Sequence, residues 1–241
     1  MNESASRTLA QIVTGNHRTA SVFEKYNLDF CCKGKRSLQQ ACTEQGIPVD
    51  ELLKELEEVV SSPDLKTFPF DKLSLAQLAD YIVTTHHDYV KKELPQLFAY
   101  AEKVASKHGQ RHPELFKIFE AVAAVKEEMT MHMQKEEVVL FPRIKELENF
   151  MNHEHGQAAL SVTYLQAPIS MMEQEHDHAG SLLEEIRQLS DNYTPPQDAC
   201  TTYKLLFAAL QAFEMDLHQH VHLENNILFP KAISLAGARL N

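Results

Sequence analysis

Two segments of the chain carry a histidine and a glutamate four residues apart and end on the same tripeptide: His132-Met-Gln-Lys-Glu136-Glu-Val-Val-Leu-Phe-Pro142 and His220-Val-His-Leu-Glu224-Asn-Asn-Ile-Leu-Phe-Pro230. They align at an offset of 88 residues. The same offset carries Ile118, Val122, Val125 and Met129 onto Leu206, Leu210, Phe213 and Leu217 without a slip. A second pair, Thr85-His86-His87-Asp88 and Gln174-Glu175-His176-Asp177, matches at an offset of 89. Repetition in register marks two equivalent halves. Each half is a helix bearing His-Asp followed by a helix bearing His-x-x-x-Glu.

Residues four apart on a helix share one face and lie about 6 Å apart along its axis, so each His-x-x-x-Glu pair can offer two ligands to one site. His87, His132, Glu136, His176, His220 and Glu224 all fall on apolar stripes, facing the space where helices meet. Burying two carboxylates there costs several kcal/mol each unless they are compensated, and neutral imidazoles compensate poorly. A cation resolves the conflict. Six ligands are too many for one closed tetrahedral zinc site and suit two ions, each taking two histidines and sharing both glutamates. Imidazole and carboxylate without thiolate fit iron or manganese in bridged pairs, and iron is the expected metal. Two Fe ions per chain, bridged by the carboxylates and by an oxo or hydroxo group, would each be five-coordinate. The open position could take O2, NO or peroxide. The competing metal reading is a bundle with a single zinc.

Asp88, Asp177 and Glu175 flank the lone ligand histidines and are candidates to orient imidazoles or relay protons. His86, His178, His218 and His222 read as solvated or rim residues, and His153 and His155 as loop residues. Cys31 and Cys32 lie beside Lys33, Lys35 and Arg36, charges that favour thiolate and hence redox or metal-transfer chemistry. With Glu175 they are the candidates for a catalytic role. Cys42 and Cys200 read as packing residues.

The elements that must position these groups are helices. Among 241 residues there are only seven glycines and no tryptophan, and the long stretches rich in Ala, Leu, Glu, Lys and Gln argue against many short strands. From Ser74 the chain reads as four long helices. Ser74 with Gln77 makes a capping-box start, and Gly109 closes the first helix, with Pro95 expected to kink or break it. The second opens at Pro113 and runs to about Leu147. The third begins near Pro168, and the fourth begins after Asp198 and ends near Pro230. Asn149 to Ala167 reads as a long connection. The expected fold is all-α: an antiparallel four-helix bundle over residues 74–241 with a pseudo-two-fold axis, a linker over 63–73, and a small helical amino-terminal domain over 1–62.

A formal charge of −11 argues against nucleic acid or anionic membrane surfaces as general partners. No stretch approaches the run of about 18 apolar residues that a membrane span needs, and the start does not read as a signal peptide. A cytoplasmic protein with reduced cysteines is the expectation.

The paired His-x-x-x-Glu motifs with their Leu-Phe-Pro endings, the element Glu175-His176-Asp177 and the segment Asp29-Phe30-Cys31-Cys32 resemble the iron-sulfur cluster repair di-iron proteins, the repair of iron centres family. The likeness covers almost the full chain, and the amino-terminal unit resembles the small ScdA-type domain of those proteins. Hemerythrin-like domains in general share only the bundle and part of the ligand pattern. The resemblance implies that His87, His132, His176 and His220 ligate iron and that Glu136 and Glu224 bridge, the set already reached from periodicity. It also implies a role in restoring iron-sulfur clusters damaged by nitric oxide or oxidants, by supplying iron or by removing NO. Damaged iron-sulfur proteins would then be partners, NO or O2 small ligands, and a homodimer through the amino-terminal unit the assembly. The alternatives within this reading are an NO-reducing enzyme and an O2- or NO-binding sensor or carrier.

Overall fold

The computed structural model describes residues 3–61, 68–152 and 163–237. Short helices build the amino-terminal part: α1 (Glu3–Ser6), α2 (Leu9–Gly15), α3 (Ala20–Lys25), α4 (Leu38–Gln45) and α5 (Val49–Ser61). Thr8 with Gln11 and Ser37 with Gln40 form reciprocal capping boxes that start α2 and α4. Gly46 ends α4 in the left-handed conformation, at φ 67°, where a side chain would be strained.

The larger part consists of four rods, three of them interrupted by one wider, π-helical turn. The first is α6 (Leu75–Ile82), the turn Val83–His87 and α7 (Asp88–His108). The second is α8 (Glu114–Lys135), the turn Glu136–Leu140 and α9 (Phe141–Asn152). The third, α10 (Thr163–Leu189), is uninterrupted, and the fourth is α11 (Thr201–Leu223), the turn Glu224–Leu228 and α12 (Phe229–Gly237). Among the described residues the fold is all-α, with helix α8 packed against α7 and α10, and α11 against α7.

Two apolar clusters fill the molecule. One runs through α7, α8, the later part of α10 and α11, and continues into the amino-terminal helices through Phe23, Phe30, Leu38 and Leu52. The other joins α6, α9, the earlier part of α10 and α12. On each rod the change from one cluster to the other falls between Ile82 and Val90, Met133 and Leu140, Met172 and Ala179, and Val221 and Leu223. The polar residues singled out by the repeat lie at or beside those four gaps.

Several expected boundaries are corrected. Pro95 lies inside an unbroken α7, and the irregular turn sits upstream of it at Val83–His87. The second rod continues past Leu147 to Asn152, and the third starts at Thr163, with Pro168 inside α10. Pro230 does not end the fourth rod, which continues to Gly237. The reason is local. Phe141 N–H donates to the Glu136 carbonyl and Phe229 N–H to that of Glu224, five residues back, and the wider turn makes room for Pro142 and Pro230. Of the expected connection, residues 149–152 and 163–167 are helical, while 153–162, with His153 and His155, lie outside the described residues.

Candidate metal centre

The wider turns place the chemistry. His87 ends the first, Glu136 opens the second and Glu224 opens the third, while His132 and His220 occupy the last turn of α8 and α11. His176 comes from the middle of α10. All six side chains are buried, and the structure brings them together as two overlapping groups: His87, Glu136, His220 and Glu224, and His132, Glu136, His176 and Glu224.

Each glutamate faces both groups. Glu136 Oε2 lies 3.3 Å from His87 Nε2 and 3.2 Å from His132 Nε2. Glu224 turns Oε1 to His220 Nε2 and Oε2 to His176 Nε2, both at 3.1 Å. Across the centre the Nε2 atoms of His87 and His220 approach to 3.1 Å, and those of His132 and His176 to 2.9 Å.

The outward nitrogens are tied down by other partners. His87 Nδ1 meets Glu137 at 2.8 Å, His132 Nδ1 meets Glu175 at 3.0 Å, and His176 Nδ1 meets the side-chain oxygen of Asn225 at 2.9 Å. An imidazole beside an acceptor donates the proton of that nitrogen, which leaves the lone pair on Nε2. Lone pairs directed at each other within about 3 Å repel unless a proton or a cation lies between them. Both oxygens of Glu136 and Oε2 of Glu224 are buried and lack any aligned hydrogen-bond donor, despite the short distances to imidazole nitrogens. The donor set therefore fits cations: inward lone pairs, unsatisfied carboxylate oxygens, and no thiolate.

The electrostatics agree. Burial would lower the pKa of His132, but the charge of Glu136 and its contact with Glu175 raise it to about 10. Burial would raise the carboxyl of Glu224, but the His220 and His176 imidazoles hold it well below the usual range. His132, with Lys135, brings Glu175 down to about 2. Glu136 and Glu224 raise the pKa of His87 against its burial, whereas burial keeps that of His220 lowered.

Of the flanking candidates, Glu175 does orient an imidazole, that of His132 rather than of the adjoining His176. Asp88 and Asp177 are exposed, and among the described residues neither carboxylate meets an imidazole of the two clusters, because one residue's advance turns them by about 100° around the helix. Glu137 and Asn225 were missed. The repeat held the signal, since each directly follows a shared glutamate, Glu136 or Glu224, at the same offset. His86 and His222, expected at the rim, are buried: His86 Nδ1 meets Asp216 at 3.0 Å, and His222 packs on Phe30. His178 is exposed as expected and pairs with Glu128, and His218 contacts Glu24 at the base of the amino-terminal unit.

The cysteines differ from expectation in part. Cys31 is 5% exposed, and its thiol is pushed well up by its contact with Cys32 Sγ at 3.8 Å, by burial and by Asp29. The flanking lysines do not outweigh these effects, so Cys31 is a thiol. Asp29 Oδ1 accepts the backbone N–H groups of Cys31, Cys32 and Lys33 and shapes the turn. Cys42 is a packing residue, whereas Cys200 is exposed at the start of α11, 3.2 Å from His108 Nε2.

Comparison with known proteins agrees with this geometry. Residues 78–232 match the Hemerythrin HHE cation binding domain, and residues 5–60 match a domain of unknown function, DUF542. The iron-sulfur cluster repair protein YtfE of Enterobacter sp. (strain 638) is 36% identical over 94% of this chain and 96% of its own length. The protein of the same name from Cronobacter sakazakii is 38% identical over 90% of this chain and 91% of its own. That from Escherichia coli O81 is 35% identical over 94% and 96%. The chain thus belongs to the iron-sulfur cluster repair proteins, with the hemerythrin-like cation-binding domain that carries its paired histidine and glutamate clusters.

Proposed function

We propose that this is a di-iron protein that repairs iron-sulfur clusters damaged by oxidative or nitrosative stress by donating iron. In this reading the iron is held by His87, His132, His176 and His220, with Glu136 and Glu224 as bridges. The observation that carries it is the orientation of the imidazoles. Four Nε2 atoms turn inward onto two shared carboxylates, while Nδ1 of His87, His132 and His176 is held from outside. Two ions per chain would use every inward donor. When bound, iron supplies a Lewis acid and a one-electron couple.

The chain's own residues fix and shelter that arrangement. Glu137, Glu175 and Asn225 set the tautomers, and Lys91 and Lys135 pair with the outer carboxylates. The rings of Phe141 and Phe229 stack on His87 and His176 and cover their faces with hydrocarbon. Ferrous iron stands low in the affinity order of divalent ions, and a site of imidazole and carboxylate can lose it to a sulfur-rich acceptor.

The test is to load the protein with isotopically labelled iron and mix it with an enzyme whose cluster has been damaged by NO or peroxide. Recovery of activity with label in the rebuilt cluster supports donation. Recovery without label, or no recovery, opposes it.

A cavity of about 560 Å3 lined by His132, Glu175, Lys135, Met131 and Met171 favours a second reading, binding or reduction of NO or O2. Catalytic nitrous oxide production with an electron donor would support it, and stoichiometric NO binding alone would count against it. Damaged iron-sulfur proteins are the partners in the first reading. A cytoplasmic location and a homodimer are part of it, the latter tested by sedimentation; among the described residues no helix is long and apolar enough to cross a membrane.

A further inference from the structure

Three of the four ligand imidazoles have a direct outer partner. His220 has none, because its Nδ1 is buried without a hydrogen bond. In the other half, the equivalent His132 is held by Glu175. The repeat that sets His176 on His87 sets Glu175 on His86, so the first half has an imidazole where the second has a carboxylate.

His86 is 2% exposed and lies parallel to His220, with 7° between the ring planes and 5.7 Å between centroids. Its Nδ1 lies 3.0 Å from Asp216 Oδ1. Its Nε2 has no partner, and neither has Asp216 Oδ2. The unpartnered nitrogens are complementary. Asp216 fixes the His86 proton on Nδ1 and leaves a lone pair at Nε2. His220, whose Nε2 faces the candidate metal, carries its proton on Nδ1 and needs an acceptor.

We propose that His86, held by Asp216, is the positioning residue of His220, accepting its Nδ1 proton through one bridging water. The ion between His87 and His220 is in consequence the first to leave the protein. Its His220 ligand is held at one remove, while His132 and His176 at the other ion each have a direct partner. This rests on the iron-donor reading for its use, since it names which of the two irons is donated first.

The experiment follows iron release from the loaded protein to a ferrous-selective chelator under anaerobic conditions. Wild-type protein should release its iron in two phases of equal amplitude. His86→Leu should speed the first phase by about 10–100-fold and leave the second unchanged, a size typical for loss of an outer partner of a metal ligand. His86→Gln, which returns an acceptor oxygen, should restore a slow first phase. Asp216→Asn, which keeps the imidazole but loosens its tautomer, should speed the first phase and provides the test if His86→Leu does not fold. A single phase in the wild type, equal acceleration of both phases, or a His86→Gln protein that behaves like His86→Leu would overturn the proposal. Two normal phases together with failure to rebuild a damaged cluster would overturn the donor reading and leave this one standing.

Discussion

Every imidazole has two nitrogens, and at this centre His87, His132 and His176 use them for opposite purposes: one is held by an outer acceptor while the other is turned to a shared carboxylate. If Glu136 and Glu224 bridge two ions, Glu136→Ala and Glu224→Ala proteins should lose most of their iron. His178→Ala, which removes an exposed side chain paired with Glu128, should keep it; equal iron in all three would contradict the assignment. Protonation gives a second check. In the metal-free protein His132 holds its proton up to a pH of about 10, so it is protonated at pH 8 and must lose that proton to bind a metal. Metal uptake in weakly buffered solution at pH 8 should therefore acidify it, and uptake without proton release would oppose ligation by His132. The candidate ligands were legible as a buried cluster because carboxylates on apolar stripes, repeated in register, are costly to bury unless something compensates them. Their outer partners were less so. Glu137 and Asn225 look like any solvated helix position until a fold shows which imidazole they meet, and the buried state of His86 depends on Asp216, 130 residues away.

At the scale of the helix, caps and turns carry different amounts of local signal. The Ser74–Gln77 cap was read directly, since Ser and Gln three apart satisfy each other's backbone donors. Glu148 adds to it from another rod, accepting the N–H groups of Leu75 and Ala76 at 2.7 and 2.9 Å. Ser74→Ala should cost about 1 kcal/mol and Glu148→Ala about 1–2 kcal/mol, from loss of a cap and of a negative group at a helix N-terminus. Denaturant titration measures both, and iron content should not change. A loss of iron equal to that of Glu136→Ala would show that α6 contributes more to the centre than the position of His87. The three wider turns were not legible as such. Leu-Phe-Pro at 228–230 reads as the end of the fourth helix, whereas the wider turn accommodates the proline there, as at Pro142, and the rod continues. These turns are also where His87, Glu136 and Glu224 sit, so the irregularity and the chemistry share a cause in the need to aim a side chain off the regular helical register.

Across the whole molecule the amino-terminal helices and the bundle share one apolar cluster. The turn that carries Glu224 reaches the cysteine segment directly: Asn226 Nδ2 donates to the Cys31 carbonyl at 3.0 Å, while Phe30 packs edge-on to His222 and His218. Composition and the helical period made the class and the bundle legible, but this docking was not, because its partners lie nearly 200 residues apart and no local pattern announces them. One shared core predicts one cooperative unfolding transition, and two well-separated transitions in calorimetry would contradict it. Phe30→Ala should lower stability by about 3–5 kcal/mol, the usual cost of emptying a large buried aromatic site. Two shared carboxylates would serve two metal ions, and the number of ions bound is the most direct test. Elemental analysis of anaerobically loaded, desalted protein should give two irons per chain; one iron, or a single zinc with no iron, would contradict it.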